Sequence, residues 1–286
     1  MRIDLHTHST VSDGTLTPAE VIAAAAAADL DVVALTDHDN LAGWSEAAEA
    51  ARSYGLEFVP GVELSCRWYG VEPSISLHLL GYWVDPDHAG LREELARLRG
   101  GREQRARQIV ELMRADGIDV TWEEVQAYAA GGTVGRPHLA QALIRRGLVA
   151  TVSEAFAPSM LGSRWRVPKP DIDVFRGLEL IRAAGGVSVF AHPQASSRGR
   201  IVPESLIVEM AAHGLDGLEA DHEDHTPEQR ARVRALADEL GLVATGSSDF
   251  HGTNKTTPIG ANLTDPAVYT ALRAAAQARA GDDLSR

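Results

Sequence analysis

A chain of 286 residues, 44% hydrophobic and 23% charged, has room for one large domain or for a main domain carrying a smaller insertion. No apolar run nears the roughly 20 residues that a membrane helix needs, and a formal charge of −13 argues against a surface that coats nucleic acid while leaving room for a local basic pocket. The single cysteine, Cys66, excludes an internal disulfide and reads as a small buried hydrophobe; with no secretory signal pattern at the N-terminus, a reducing cytoplasm is the expected compartment.

The opening run Ile3-Asp4-Leu5-His6-Thr7-His8 is apolar and ends in two histidines one residue apart. In an extended backbone, positions i and i+2 share a side, so His6 and His8 can present two imidazoles to one ion. Thr17-Pro18-Ala19-Glu20 then has the form of a capping box opening a helix. Val32-Val33-Ala34-Leu35 is a strand without polar alternation, so buried on both faces, and Thr36-Asp37-His38-Asp39 stands at its carboxyl end. A helix over 43–54 leads to a strand over 58–62 that ends at Glu63, and a strand over 75–80 carries His78.

Past residue 85 the rhythm breaks. Residues 91–116 are strongly helical and rich in arginine and glutamate, shorter helices follow over 121–130 and 137–146, and Gly131-Gly132 and Gly162-Ser163 mark loops or hinges. The strand pattern then resumes: 186–191 ends at His192, Gly217-Leu218 ends at Glu219 near His222 and His225, and 243–246 leads to Asp249 and His251. A helix over 227–240 and a closing helix over 266–280 complete the chain, with a frayed end from Gly281.

Seven candidate strands alternate with helices, and almost every one ends in a potential ligand or proton carrier. A parallel α/β barrel opens the carboxyl ends of its strands onto one face, where residues far apart in sequence converge. The expected architecture is a distorted (β/α)7 TIM-like barrel from residues 1–84 and 169–286, with residues 85–168 as a helical insertion folded over its mouth.

The set Asp4-Leu5-His6-Thr7-His8-Ser9, Ser12-Asp13-Gly14, Thr36-Asp37-His38-Asp39, Gly61-Val62-Glu63, His78, Ala191-His192-Pro193 and Ser248-Asp249-Phe250-His251 resembles the PHP superfamily, named for polymerase and histidinol phosphatase, from end to end and in the family's order. The resemblance implies three divalent ions and hydrolysis of phosphate esters. It places His6, His8, Glu63 and Asp249 on one ion, Glu63, His78 and His192 on a second, and Asp13, His38 and His251 on the third, with Glu63 as the bridge. Imidazole with carboxylate suits Mn, Fe or Zn, of which Mn is favoured, and paired ions about 3.5 to 4 Å apart can hold a bridging hydroxide and steady a phosphoryl group. Glu63 and Asp249 are thus also catalytic candidates, and one of His222 and His225 is expected to touch substrate or donate a proton. Asp37 and Asp39 either orient His38 or cap the next helix, Asp4 is either a support for the histidines or a structural acid, and His88 and His213 read as solvated helix-end residues.

An acidic phosphatase needs local cations. Gly135-Arg136-Pro137-His138 begins a helix, so free N–H groups, the Arg136 fork and the His138 imidazole can meet one anion, and Lys169, Arg198 and Arg200 are expected to form a second anion site near the mouth. The chain most resembles the stand-alone PHP phosphoesterases, and the expected substrate is a small phosphorylated molecule, a nucleoside 3',5'-bisphosphate or monophosphate, with no membrane and no stable protein partner implied. The alternatives are 5'-3' trimming of short RNA or DNA oligonucleotides, a histidinol-phosphatase-like activity and a degenerate binding module, against which the complete ligand set argues.

Overall fold

The computed structural model describes residues 1–129, 131–169 and 171–283. Its strands are β1 (Ile3–Asp4), β2 (Val32–Leu35), β3 (Glu57–Trp68), β4 (Ile75–Tyr82), β5 (Ile172–Asp173), β6 (Val187–Phe190), β7 (Gly217–Asp221) and β8 (Val243–Gly246). The helices are α1 (Pro18–Ala27), α2 (Trp44–Tyr54), α3 (Ala89–Ala115), α4 (Trp122–Ala129), α5 (Arg136–Arg145), α6 (Val152–Ala155), α7 (Val174–Ala183), α8 (Glu204–Ala212), α9 (Pro227–Leu240) and α10 (Pro266–Asp283). Thr17 and Thr226 each close a capping box ahead of a first-turn proline, which fixes the starts of α1 and α9. α10 runs to Asp283, past the expected fraying point at Gly281, and residues 284–286 lie outside the described residues. Among the described residues no helix is long and apolar enough to cross a membrane.

Seven strands pair in the order β1-β2-β3-β4-β6-β7-β8, and a parallel bridge between Thr7 and Phe250 brings the two ends of that order together. This is the nearly closed barrel expected from the strand–helix alternation. One strand departs from it: β4 runs antiparallel to both β3 and β6. Only residues 69–74 separate β3 from β4, too few for a crossover helix, so the chain returns as a hairpin. The short β5, which the sequence pattern did not announce, pairs with β3 at Cys66 and Arg67.

Alternation along the strands divides the side chains between two environments. Val62, Leu64 and Cys66 of β3 join the apolar layer under α7, α8 and α9, while Glu63 and Ser65 turn toward the barrel axis. Cys66 is buried as expected, and a Cβ on Gly177 of α7 would lie 2.9 Å from its sulfur, so glycine permits the close approach of helix and sheet. Below the mouth, Ile3, Leu5, Val32, Leu80, Tyr82 and Val189 fill the barrel. Each such residue contributes roughly 1.5 to 3 kcal/mol by leaving water, and together they form the floor on which the polar groups stand.

Residues 106 to 165 share a second apolar cluster that includes Ile109, Val125, Leu139 and Trp165. The first turns of α3 belong elsewhere: Leu91, Leu95 and Leu98 pack into the barrel's outer layer. The insertion reaches the mouth directly, for Thr133 N–H donates to Val11 O at 2.7 Å and Gln141 Nε2 donates to Asn254 Oδ1 at 2.9 Å. A Cβ at Gly132 would fall 2.3 Å from Thr10 O, so this approach also requires glycine.

Candidate metal centre

β1 delivers His6 and His8 to the mouth with their Nε2 atoms 3.1 Å apart. Glu63 enters from β3: its Oε2 lies 3.3 Å from His6 Nε2, 3.1 Å from His8 Nε2 and 3.1 Å from His38 Nδ1. Its Oε1 lies 2.6 Å from His78 Nδ1 and 3.2 Å from His192 Nε2. Because β4 is antiparallel, His78 sits inside its strand rather than at the carboxyl end and still faces the same point. Asp249 Oδ1 lies 3.5, 3.4 and 3.4 Å from His6, His8 and His251, and Asp13 stands 3.3 Å from His251 Nε2 and 3.7 Å from His38 Nε2.

The donors gather in three compact groups, His8–Asp13–His38–His251, His6–His8–Glu63 and His38–Glu63–His78. Hydrogen bonds do not account for all of these atoms. Asp249 Oδ1, His38 Nδ1 and His78 Nδ1 are buried without a hydrogen-bond partner, a state that buried polar atoms avoid. Converging imidazole nitrogens and carboxylate oxygens are the donor set for divalent transition metals, so the residues fit the ions that the sequence motif implies.

The electrostatics of Glu63, Asp249, His192 and His251 agree, whereas at His6 burial is outweighed by Asp249, Glu219 and Glu63, which raise it, and at His8 burial is outweighed by Asp249 and Glu63, which push it up to about 9. Burial opposes ionisation of Glu63, but His38, His78 and His6 outweigh it and hold the carboxyl well below its ordinary range. Burial is likewise overcome at Asp249, by Lys255, Arg198 and His6. Burial, followed by Arg198, pushes His192 down to about 3, and burial, Lys255 and His8 push His251 down to about 4. These two rings are neutral, the form a ligand requires. Asp39, His192 and Asp249 hold φ values of 53°, 34° and 48°, a left-handed conformation that non-glycine residues adopt at a cost, so some backbone strain is stored at this mouth.

Supporting contacts differ from the sequence expectation in several places. Asp37 accepts from Ser9 N, Ser9 Oγ and Ser12 Oγ, and Ser12 Oγ also contacts His8 Nδ1 at 3.3 Å. Asp39 accepts from Ser65 N–H and its hydroxyl and from Arg102. Neither aspartate caps α2 or orients His38, whose ring nitrogens face Glu63 and Asp13. Asp4 accepts backbone N–H groups of His6, Ser248 and Gly260, tying β1 to the loop that carries Asp249. Of the two proton-carrier candidates, His222 Nε2 lies 3.2 Å from Asp249 Oδ2. His225 does not share that position: its Nδ1 donates to Ala220 O and its Nε2 accepts from Gln194 N–H, so both nitrogens are committed to backbone. His88 caps the start of α3, and His213 bonds Glu209 O at the exposed end of α8.

Comparison with known proteins decides the family. The sequence model of the PHP domain matches residues 4–130. A 5'-3' exoribonuclease from Haemophilus influenzae is 35% identical over 264 residues, covering 92% of this chain and 94% of that protein. The chain belongs to the PHP family. A 3',5'-nucleoside bisphosphate phosphatase from Chromobacterium violaceum is also 35% identical, over 257 residues and 87% of each chain. Among solved structures, one described as a metal-dependent phosphoesterase, from Bifidobacterium adolescentis, superposes with a TM-score of 0.90 at 35% identity over 96% of both chains. Membership makes the chain a metal-dependent hydrolase of phosphate esters.

The PHP mouth also gathers cations. Arg198 Nη2 and Lys255 Nζ both donate to Asp249 Oδ2, at 2.5 and 2.6 Å, and Lys169 Nζ stands 3.2 Å from His78 Nε2. Arg102, Arg105 and Arg136 line a small cavity at the start of α5. Burial, with Arg136 and Arg102 nearby, pushes Arg105 down to about 10, and burial and Arg102 lower Arg136 as well. Two sequence candidates stand apart from this arrangement. Arg200 is exposed and donates to Pro73 O at 2.6 Å, so it forms no anion site with Lys169 and Arg198, and His138 uses Nδ1 to accept from Gly135 N–H, helping to close the helix start. Sequence reasoning missed Arg102, Arg105 and Lys255; the recurrence of Arg99, Arg102 and Arg105 at three-residue steps on α3 was the available signal.

Proposed function

We propose that this PHP enzyme is a nucleotide phosphatase that removes one phosphate from a nucleoside 3',5'-bisphosphate, or the phosphate of a nucleoside monophosphate, with Arg105 and Arg136 of the insertion holding a second phosphate. The observation that carries this reading is the crowding of Arg102, Arg105 and Arg136 around one cavity while Arg102 also reaches Asp39, the neighbour of His38. Like charges are gathered beside the metal centre where an anion would relieve them. The phosphatase relative from Chromobacterium violaceum supports the choice of substrate.

His6, His8, Glu63 and Asp249 would hold one ion, Glu63, His78 and His192 a second, and Asp13, His38 and His251 a third, with Mn favoured and with Fe and Zn equally suited to the donors. Ions so held supply Lewis-acid polarisation and a nucleophile at neutral pH. The chain's own residues do the rest. Arg198 and Lys255 stand beside Asp249 to neutralise phosphoryl oxygens. Asp224 N–H donates to His222 Nδ1, which leaves Nε2, 3.2 Å from Asp249 Oδ2, as the nitrogen that hands a proton to a leaving oxygen. Lys169, beside His78, provides a further cation, and residues 85–168 act as a cap domain that selects the ester.

Assays of nucleoside bisphosphates and monophosphates with added Mn test this reading. Turnover of at least one nucleotide is expected, and none with metals bound would sink it. A second reading is favoured by the exoribonuclease relative: end-trimming of short oligonucleotides at the same centre. Shortening of a 5'-phosphorylated RNA separates the two, because a phosphatase leaves chain length unchanged.

A further inference from the structure

We propose that Glu219 is the positioning residue of the metal centre, one buried carboxylate that sets both the ring of His6 and the backbone of His192. Glu219 lies in β7 and is fully buried. Its Oε1 accepts from His6 Nδ1 at 3.0 Å, and Ser247 Oγ donates to the same oxygen. Its Oε2 accepts from His192 N–H at 2.8 Å. His6 and His192 belong to different ion shells in the ligand assignment above, so a single side chain reaches both.

The consequences differ at the two ends. At His6 the Nδ1 proton is spent on Glu219, which leaves the lone pair on Nε2, the nitrogen 3.3 Å from Glu63 Oε2 and 3.5 Å from Asp249 Oδ1. The anion also raises the basicity of that ring, as carboxylate partners of ligand histidines do. At His192 the bond holds a residue whose φ is 34°, and this conformation brings the ring Nε2 to 3.2 Å from Glu63 Oε1. No lysine or arginine of the described residues pairs with Glu219; among charged side chains its ion-pair partner is His6. A buried carboxylate without a fixed cation is costly, and holding a metal site in register is the use the geometry gives it.

The inference rests on the metal-centre reading, and its test needs no substrate. Wild type, Glu219→Gln and Glu219→Ala are stripped of metal, then titrated with Mn against a competing chelator, with bound metal counted and the melting temperature of each metal-free chain recorded. Glutamine keeps the shape but offers one acceptor oxygen where the carboxylate meets three donors, His6 Nδ1, Ser247 Oγ and His192 N–H, with two. Glu219→Gln is expected to bind Mn about 10- to 100-fold more weakly than wild type, the usual cost of losing a ligand's partner, with a smaller stabilisation on adding metal. Should Glu219→Ala fail to fold, Glu219→Gln decides alone. Wild-type affinity and stoichiometry in Glu219→Gln, even with a lowered melting temperature in the metal-free chain, would overturn the role. A wild-type chain that takes up no metal overturns the metal centre together with it.

Discussion

The barrel mouth and the insertion beside it meet the same problem with opposite chemistry. At the mouth, Glu63, Asp13 and Asp249 lie buried among imidazoles, with Asp249 on a left-handed turn. Beside it, Arg105 and Arg136 crowd each other on helices, with Nε of Arg105 on Val167 O, an Arg136 Nη on Leu161 O and the Arg136 guanidinium 4.9 Å above the Phe156 ring. In the first region strands and the turns beside them place the donors; the second is held by long side chains over a separate apolar cluster. Arg102 joins them, donating to Asp39 Oδ2 and Ser65 Oγ, both at 2.6 Å. On the proposed reading, metal chemistry and substrate choice reside in different parts of the chain, and variants should separate them.

The largest effect is expected at the mouth. Glu63→Gln removes the carboxylate shared by two groups of donors, so kcat/KM should fall by more than the ~100-fold that a supporting residue costs, and elemental analysis should show lost metal. If the variant keeps its metals and its activity, the mouth is not the metal centre. Next comes the insertion's own core: Leu139→Ala should lower stability in denaturant by about 2 to 5 kcal/mol, while metal content per folded chain stays that of wild type. Parallel loss of metal would show that the two regions are one unit.

Arg136→Ala should cost about 10-fold in kcat/KM, mostly through KM, in keeping with ~1.5 kcal/mol for a charged hydrogen bond, and Mn titration should be unchanged. Arg200→Ala is the smallest step. Its guanidinium is exposed and bonded to Pro73 O, so activity should stay within about twofold of wild type; a larger loss in steady-state kinetics would return Arg200 to the site.

Much of the mouth could be read from the chain because several donors follow a recognisable apolar run: His6, His38 and His192 come after β1, β2 and β6, and Glu63 comes after the run 58–62 within β3. The direction of β4 was hidden: its run looks like any other, and the decisive feature is the brevity of residues 69–74. His225 looked equivalent to His222, since only two residues separate them and only the folded backbone shows that Ala220 and Gln194 claim both its nitrogens. Arg102 and Arg105 were not singled out from the other arginines of α3, because their partners Asp39 and Val167 lie about 60 residues away. Glu219 was visible after the short apolar run Gly217-Leu218, but its bonds to His6 and His192 reach across the fold.

The division of labour is tested most directly by one ratio, kcat/KM for a nucleoside 3',5'-bisphosphate over that for the matching monophosphates, measured for wild type and for Arg136→Ala at equal metal content. Wild type should favour the bisphosphate by about 10-fold or more, the worth of one charged hydrogen bond to the second phosphate, and Arg136→Ala should lose most of that preference. An unchanged ratio in the variant would contradict the account, placing substrate choice at the barrel mouth itself.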